Sequence, residues 1–218
     1  MMTSRKVLES ARHIVVEGPI GVGKTSLARR LATHLSAQTF LEQPQANPFL
    51  ERFYDDPQRY ALQTQLFFLF QRMDQLRDLA QPDFFDRTIL SDYLLEKDPL
   101  FAQLTLSDDE YRLYRDIYER IAPQAPTPDL VIYLQANPET LIARVRKRGI
   151  DIERRITDGY LTLLSDRYSR FFYHYSAAPV MVVNSENLNF VDRDDDFHLL
   201  LERIETMQGQ RGYFNRGE

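Results

Sequence analysis

Four short stretches of the chain are apolar at consecutive positions rather than at alternating ones. They are HIVVE (13–17), DLVIYL (129–134), PVMVVN (179–184) and the shorter TFLE (39–42). Strands that are covered on both faces show this pattern, because neither row of side chains meets water. A brief fifth candidate strand, DFF (83–85), ends at Asp86-Arg87. The pattern predicts a parallel sheet buried between two layers.

Helical periodicity fills the segments between these strands. The clearest patterns cover residues 25–35, 57–80, 138–148 and 159–175. Alternating strands and helices are typical of a doubly wound α/β domain with helices on both faces of the sheet. The 218 residues, of which 43% are hydrophobic, suffice for one domain spanning 1–218. The polar tail, about 208–218, is expected to be loosely held.

Charge and composition narrow the choice of partners. The net charge of −5 argues against nucleic acid and membrane surfaces. The absence of cysteine excludes disulfides and thiolate metal sites. The chain has no apolar run near the length of a membrane span, and its start lacks the apolar region of a signal peptide. We therefore expect a cytoplasmic protein whose partners are small molecules.

The first predicted strand leads into GPIGVGKTS (18–26), which fits G-x-x-x-x-G-K-[ST] and is followed by a predicted helix. In such a loop the backbone N–H groups and the helix N-terminus converge on phosphate oxygens. Lys24 reaches the outer phosphates, and Thr25 is the expected magnesium ligand. The residues expected to contact a nucleoside triphosphate here are Gly18, Gly21, Val22, Gly23, Lys24, Thr25 and Ser26. The guanine-reading motif N-K-x-D of GTPases is missing.

The helix predicted at 57–80 carries polar side chains within a mostly apolar surface. Its core-facing positions at helical spacing are Leu62, Leu66, Leu69, Met73 and Leu76. Gln65 and Arg72 lie seven positions apart on a neighbouring stripe, with Phe68 between them. A buried amide or guanidinium without a partner costs about 1–3 kcal/mol. A ligand is therefore one candidate partner for this pair.

Four segments together resemble the deoxyribonucleoside kinase family: LEQPQANPFLERFYDD, YALQTQLFFLFQRMDQ, FFDRTILSD and RVRKRGIDIE. The resemblance covers about residues 13–190. It implies a kinase that transfers the γ-phosphate of ATP to the 5′-hydroxyl of a deoxynucleoside with Mg²⁺. It also implies a P-loop NTPase-type sheet of five parallel strands in the order 2-3-1-4-5, and a homodimer packed through flanking helices.

The resemblance implies roles at the reacting groups. Glu42 is the expected base that takes the proton from the 5′-hydroxyl. Asp86-Arg87-Thr88 matches the acidic-Arg-Ser/Thr motif, so that Asp86 binds magnesium and Arg87 holds Glu42 and the reacting phosphoryl group. Taken singly, Glu42 also suits a surface glutamate at a strand end, and Asp86-Arg87 a plain ion pair.

The resemblance also implies a nucleoside pocket. Gln65 pairs with the base edge, and Arg72 is held by Asp92. Tyr54 and Glu153 meet the 3′-hydroxyl. Family members with the Arg–Asp pair accept purine deoxynucleosides and sometimes deoxycytidine, so deoxyadenosine and deoxyguanosine are the expected substrates.

A lid at about 144–156 and a loop after the last predicted strand are the expected contacts of ATP. Arg144 and Arg148 lie four positions apart on one helix face and suit phosphate charge. Ile150 replaces a further lid arginine of some members, so that either Arg154 or Arg155 substitutes for it or no residue takes over its task. The expected adenine contacts are Asn184, Glu186 and Asn187.

Two other functions remain open at this point. A thymidylate-type nucleoside monophosphate kinase shares the loop and the arginine lid, but it leaves Glu42 and the Gln65/Arg72/Asp92 set without a task. A phosphate-loop switch protein predicts tight nucleotide binding without turnover that depends on a nucleoside.

Overall fold

The structure is a computed structural model that describes residues 7–79, 88–122 and 126–216. In these ranges the α-helices are α1 (Val7–Ser10), α2 (Lys24–Leu35), α3 (Leu50–Asp55), α4 (Pro57–Leu79), α5 (Asp98–Thr105), α6 (Asp108–Ile121), α7 (Pro138–Arg148), α8 (Asp158–His174) and α9 (Asp194–Glu205). The strands are β1 (His13–Glu17), β2 (Gln38–Phe40), β3 (Ile89–Ser91), β4 (Leu130–Gln135), β5 (Val180–Asn184) and β6 (Arg211–Asn215). Short 3-10 turns cover Pro44–Ala46, Leu95–Lys97 and Asp151–Arg155.

The strands form one parallel sheet in the order β2-β3-β1-β4-β5-β6. The first five strands follow the predicted order 2-3-1-4-5. The expectation of only five strands is wrong, because β6 adds a sixth strand beside β5.

Helices cover both faces of the sheet, as predicted. On one face, Ile14 and Val16 of β1 belong to a core that includes Leu27 and Leu31 of α2. On the other face, the intervening Val15 packs in a core with Tyr168 and Phe172 of α8. The side chains on both faces of β1 are therefore buried, which explains its continuous apolar sequence.

Helix α4 ends within a residue of its predicted boundary and packs as its periodicity indicated. Leu69, Met73 and Leu76 are buried in a third core cluster that also contains Tyr114 of α6. Gln65 and Arg72 are buried as well, at 7% and 6% exposure. The amide of Gln65 and the guanidinium of Arg72 therefore need polar partners, as predicted.

Two expectations about the ends of strands change. The candidate strand at 83–85 lies outside the described residues, and the third strand is Ile89–Ser91, which Asp92 follows directly. The prediction of a loosely held tail is wrong for residues 211–215, which pair with β5 along its length. Phe214 is 7% exposed in the core under α9, and burial of this ring stabilises the tail as a strand.

All strands run in the same direction, so their carboxyl ends meet at one edge of the sheet. Glu17 is the last residue of β1, Asp92 follows β3, and Glu42 lies two positions beyond β2. The phosphate loop leaves the same edge after β1. This edge holds the polar residues described next.

Candidate active site

The phosphate loop is held against its surroundings by close backbone approaches. A Cβ at Gly18 would overlap the carbonyl oxygen of Leu134 at the end of β4. Gly21 has φ 87°, and a Cβ there would come within 2.9 Å of the Leu141 carbonyl oxygen on α7. The loop therefore requires glycine at these positions. Gly23 precedes α2, which begins at Lys24.

One cavity joins this loop to the residues predicted for the acceptor. The predicted residues that line it are Gly21, Gly23, Lys24, Thr25, Ser26, Glu42, Tyr54, Gln65, Arg72, Asp92, Arg148 and Glu153. Phe53 of α3, Phe68 of α4 and Phe101 of α5 add apolar walls. Phosphate-binding and acceptor-binding groups thus share a single space, as a group-transfer site requires.

Glu42 is held at the boundary between these two halves. Its Oε1 accepts hydrogen bonds from Arg72, with the Nε donor at 3.0 Å, and from Lys97 Nζ at 3.4 Å. Its backbone N–H donates to Asp92 Oδ1 at 2.8 Å. Burial opposes the charge on Glu42, but Lys97, Arg72 and Lys24 outweigh it and hold the pKa of Glu42 well below its usual range. Glu42 is therefore ionised.

Arg72 is paired with Asp98, and its predicted pairing with Asp92 is wrong. Arg72 NH1 lies 2.9 Å from the carboxylate of Asp98, which is 2% exposed at the first turn of α5. Helix α5 packs directly against α4, whereas Asp92 follows β3 and lies at the phosphate loop. Burial raises the pKa of Asp98 to about 6, although Arg72 and Lys97 oppose the shift.

Asp92 contacts the phosphate loop instead. Its Oδ2 accepts a hydrogen bond from the hydroxyl of Thr25, and its Oδ1 from the backbone of Glu42. Burial and the neighbouring Glu42 raise the pKa of Asp92 above its usual value. Asp86 and Arg87, predicted for magnesium and for Glu42, lie outside the described residues. Thr88, third in that motif, precedes β3 and donates to the Ala11 carbonyl at the other end of the sheet.

A buried group that the sequence did not reveal completes this edge. Glu17 is fully buried and accepts hydrogen bonds from the Gly18 and Leu94 backbone N–H groups, each at 2.8 Å, and from Tyr168 Oη at 3.0 Å. Lys97 Nζ lies 3.0 Å from Glu17 Oε2. In the sequence, the position of Glu17 as an acid at the end of an apolar strand could have indicated a functional group. Lys97 and Asp98 could have been noticed as charged residues flanked by the apolar residues of LLEKDPLFA.

The side of the cavity predicted to bind a nucleoside is lined by residues of α3, α4 and the predicted lid segment. Gln65 Nε2 donates to Thr105 Oγ1 at 3.3 Å, and the ring of Phe68 lies 5.3 Å from the Arg72 guanidinium carbon. Burial raises the pKa of Tyr54 far above its usual value, so the phenol is neutral. Gln65, Arg72 and Tyr54 are thus brought together as predicted.

The two arginines predicted for the lid, Arg144 and Arg148, make different contacts. Arg148 lines the cavity and pairs with Glu153, with Nε 3.0 Å from Oε2. Arg144 donates to the carbonyl oxygens of Val22 and Ser185, so it joins the phosphate loop to the segment after β5. Ile150 is an apolar wall of the cavity.

Neither proposed substitute for a third lid arginine reaches this cavity. Arg154 lies 3.4 Å from Asp151 and is exposed. Arg155 pairs with Glu51 at 2.9 Å and with Asp55 on α3. Of the two alternatives predicted for this position, the arrangement favours the one in which no arginine takes the place of the group missing at Ile150.

The residues predicted to touch adenine lie beside a second cavity next to the loop. Glu186 and Asn187 line it together with Arg144, Phe190 and Gly23. Asn184 has a structural task, since its Oδ1 accepts from the Glu186 backbone N–H at 2.9 Å. Glu186 in turn accepts from the backbone of Asn137 at 2.7 Å.

Comparisons with known proteins agree with this fold. A sequence model described as deoxynucleoside kinase matches residues 14–208. Deoxyguanosine kinase of Bacillus subtilis (strain 168) is 32% identical over 207 residues, 92% of this chain and 99% of that protein. Deoxyadenosine kinase of Lactobacillus acidophilus is 32% identical over 192 residues, 82% of this chain and 87% of that protein.

A solved structure is similar as well. Deoxyadenosine kinase from M. mycoides, with products dCMP and a flexible dCDP bound, gives a TM-score of 0.78 at 26% identity. The similarity covers 89% of this chain and 100% of that chain. Fold and site define a phosphotransferase built around a phosphate loop. The chain belongs to the deoxynucleoside kinase family, which confirms the resemblance drawn from its sequence. No helix of the described ranges has the length and apolar character needed to span a membrane.

Proposed function

We propose that this chain transfers the γ-phosphate of ATP to the 5′-hydroxyl of a deoxynucleoside, with deoxyadenosine and deoxyguanosine as favoured acceptors. The observation that carries the proposal is the position of Glu42, whose carboxylate lines the same cavity as Lys24 and Gln65. A neutral hydroxyl needs such a base, whereas the anionic oxygen of a monophosphate does not. The two buried cations beside Glu42 are already paired with carboxylates, which disfavours a monophosphate acceptor.

In the proposed reaction, the 5′-oxygen attacks the γ-phosphorus as Glu42 accepts its proton. The bond between the γ-phosphorus and the β–γ bridging oxygen breaks, and ADP leaves with that electron pair. Lys24 and Arg148 line the cavity on the phosphate side and supply positive charge to the phosphoryl oxygens. The Asn184, Glu186 and Asn187 segment contributes to the adenine side through Glu186 and Asn187.

Magnesium fits the oxygen donors at the phosphate loop. Thr25 and Asp92 are adjacent, and Mg²⁺ in such sites takes one or two protein oxygens together with substrate phosphates. Within residues 7–79, 88–122 and 126–216 there is no cluster of three or more His, Asp or Glu side chains that could hold a metal, so the phosphates complete the set. Bound Mg²⁺ neutralises charge on the phosphates. Asp92 is thus a proposed oxygen ligand beside Thr25, and Asp86, the predicted magnesium ligand, lies outside the described residues.

The assignment of Asp92 to magnesium gives a direct test. Asp92→Asn is expected to raise the Mg²⁺ concentration for half-maximal turnover by ~10-fold or more, the usual effect of weakening a metal site. The measurement is a Mg²⁺ titration of ATP turnover at saturating deoxyadenosine. An unchanged Mg²⁺ midpoint would remove Asp92 from the metal site.

The preference for purines is supported by the polar wall of the pocket. Gln65 and Arg72 line the cavity and present polar groups suited to ring nitrogens and exocyclic groups, and Asp98 holds Arg72 from behind. A thymine methyl would meet charge at this wall. The similar proteins named above are a deoxyguanosine and a deoxyadenosine kinase. The M. mycoides structure holds dCMP, which supports deoxycytidine as an additional substrate here.

A coupled assay of ADP release tests this function. The acceptors are the four deoxynucleosides and dTMP, each with ATP and Mg²⁺, and Lys24→Met is the inactive control. Deoxyadenosine and deoxyguanosine are expected to give the highest kcat/KM, and dTMP no turnover above the control. Preferential turnover of dTMP, or none with any deoxynucleoside, would overturn the proposal.

We also propose a homodimer, which the resemblance implied. The outer faces of α4 and α6 carry Phe70 and Leu113, each 50% exposed, and suit a helical interface. Light scattering coupled to size exclusion is expected to give twice the 25.7 kDa chain mass. A single-chain mass at micromolar concentration would contradict it.

A further inference from the structure

Lys97 is a fully buried lysine that contacts two acids at once. It is 1% exposed, in the 3-10 turn Leu95–Lys97. Its Nζ lies 3.0 Å from Glu17 Oε2 and 3.4 Å from Glu42 Oε1, and 5.4 Å from the centre of the Phe101 ring. Removing an ammonium from water costs several kcal/mol by general experience with buried ions. A buried charge of this kind is retained only where something compensates for it.

Glu17 alone does not account for this lysine. Its two oxygens already accept three neutral donors, the N–H groups of Gly18 and Leu94 and the hydroxyl of Tyr168. A carboxylate with two or three such donors is well satisfied. Glu17 therefore works as an anchor that fixes both the start of the phosphate loop and the ammonium of Lys97.

Glu42 is the other partner, and its two oxygens differ. The hydrogen bonds from Arg72 and Lys97 all go to Oε1. In the part of the chain that the structure describes, no donor to Oε2 is present. Among the described residues, one oxygen is thus fixed by two cations, and the other has no donor and belongs to a side chain that lines the cavity, where a hydroxyl can reach it.

We propose that Lys97 is a positioning residue for phosphoryl transfer, which holds Oε1 of Glu42 so that Oε2 receives the proton of the 5′-hydroxyl. The inference rests on the proposed function. It gives Lys97, on the turn after β3, a contact with the base that the sequence resemblance did not predict. Arg87, for which the resemblance implied such a contact, lies outside the described residues.

The charge on Lys97 also contributes during the step. As the 5′-oxygen attacks the γ-phosphorus and ADP leaves, the proton passes to Glu42, and it is released to water with the products. Glu42 then no longer balances the charges of Lys97 and Arg72, which favours the negative charge on the reacting phosphoryl group. Because Glu17 holds the ammonium in place, this field needs no reorganisation.

Three variants separate positioning from simple ion pairing: Lys97→Met, Lys97→Arg, and the double variant Glu17→Gln/Lys97→Met. Lys97→Met is expected to lower kcat by ~100-fold, in the range of a lost electrostatic or base contribution, with the KM for deoxyadenosine within about 3-fold of wild type. Lys97→Arg is expected to recover at least ~10-fold of that loss, because it restores the charge. Arg112 has an exposed side chain on α6, and Arg112→Met is the control for loss of a remote cation.

The double variant decides between the two roles of Lys97. If Lys97 only neutralises Glu17, removing both charges restores kcat, and the proposal is overturned. If Lys97 acts through Glu42, kcat of the double variant stays within about 3-fold of Lys97→Met. An unchanged kcat in Lys97→Met, or a loss confined to KM, would also overturn it.

A chemically modified variant provides a second test if the substituted proteins do not fold. The chain has no cysteine, so Lys97→Cys introduces a single thiol that can be alkylated in urea before refolding. Bromoethylamine rebuilds an ammonium and iodoacetamide a neutral side chain. Recovery of turnover only with the ammonium supports the proposal, and equal turnover of the two adducts contradicts it. Turnover of wild-type protein after the same refolding tests the proposed function itself. Failure of the proposed function is therefore distinguishable from failure of the role proposed for Lys97.

Discussion

Glu42 combines a strongly favoured negative charge with a position between donor and acceptor groups. Lys97, Arg72 and Lys24 surround it, so it is ionised over the physiological pH range. The neutral variant Glu42→Gln is expected to keep the affinity for deoxyadenosine within a few-fold, because size and hydrogen-bonding capacity are preserved. Turnover is expected to fall by ~100-fold or more, the contribution of a positioned base. Steady-state kcat and calorimetric Kd are the measurements.

Glu202 is exposed on α9, and Glu202→Gln controls for the loss of one carboxylate. It is expected to leave both quantities unchanged. Wild-type turnover in Glu42→Gln would exclude Glu42 as the base.

The Arg72–Asp98 pair places charge at the wall of the proposed nucleoside pocket. Arg72→Met/Asp98→Ala removes both charges together and so avoids leaving one of them unpaired. We expect the ratio of kcat/KM for deoxyadenosine over thymidine to fall by ~10-fold or more, while kcat falls for every substrate because Arg72 also holds Glu42. The assay compares the four deoxynucleosides.

The exposed pair Asp74–Arg77 on the same helix is the matched control. Arg77→Met/Asp74→Ala is expected to preserve the wild-type preference. If the Arg72→Met/Asp98→Ala protein still favours deoxyadenosine as strongly as wild type, base recognition resides elsewhere.

Strand β1 carries a histidine that links its packing to pH. His13 Nε2 lies 3.0 Å from Ser91 Oγ on β3, and burial lowers the pKa of His13 to about 4, although Asp129 opposes the shift. Between pH 6.5 and 4 the unfolded chain binds a proton at this position and the folded chain does not. The free energy of unfolding is therefore expected to decrease as the pH is lowered from 6.5 to 4.

The variant His13→Gln removes this contribution and retains a side chain that can bond to Ser91. The loss of urea midpoint between pH 6.5 and 4.5 is expected to be smaller in His13→Gln than in wild type. Exposed His198→Gln is the control for removal of an imidazole. Identical pH dependence in His13→Gln and wild type would show that β1 tolerates a charged His13.

The sheet as assembled extends to β6, which brings the end of the chain into the core. Phe214 contributes to the core beneath α9, and Arg211 donates to the carbonyl oxygens of Phe172 and Tyr175 at the end of α8. Phe214→Ala is expected to lower the free energy of unfolding by about 3 kcal/mol, as for other buried rings. Urea denaturation measures this change.

Tyr213 on the same strand is 67% exposed and provides the control. Tyr213→Ala is expected to change stability by no more than about 0.5 kcal/mol. Equal effects of the two substitutions would show that β6 does not contribute to the core.

The sequence by itself determined the features that depend on neighbouring positions. The phosphate loop, the apolar strands and the face of α4 that carries Gln65 and Arg72 are fixed by backbone geometry and periodicity within a few turns. Glu42 was predicted to follow a strand from the same local pattern, whereas its role as the base came from the resemblance to the family. These predictions required no knowledge of distant contacts.

Tertiary structure decided which distant groups meet. Arg72 pairs with Asp98 because α5 packs on α4, although the resemblance to the family had implied Asp92 as its partner. Lys97 reaches Glu42 because the turn after β3 returns beside the end of β1, and β6 forms because α9 carries the chain back to β5. The free energy of such contacts depends on burial and on the path of the chain between them, and neither quantity is encoded in local spacing.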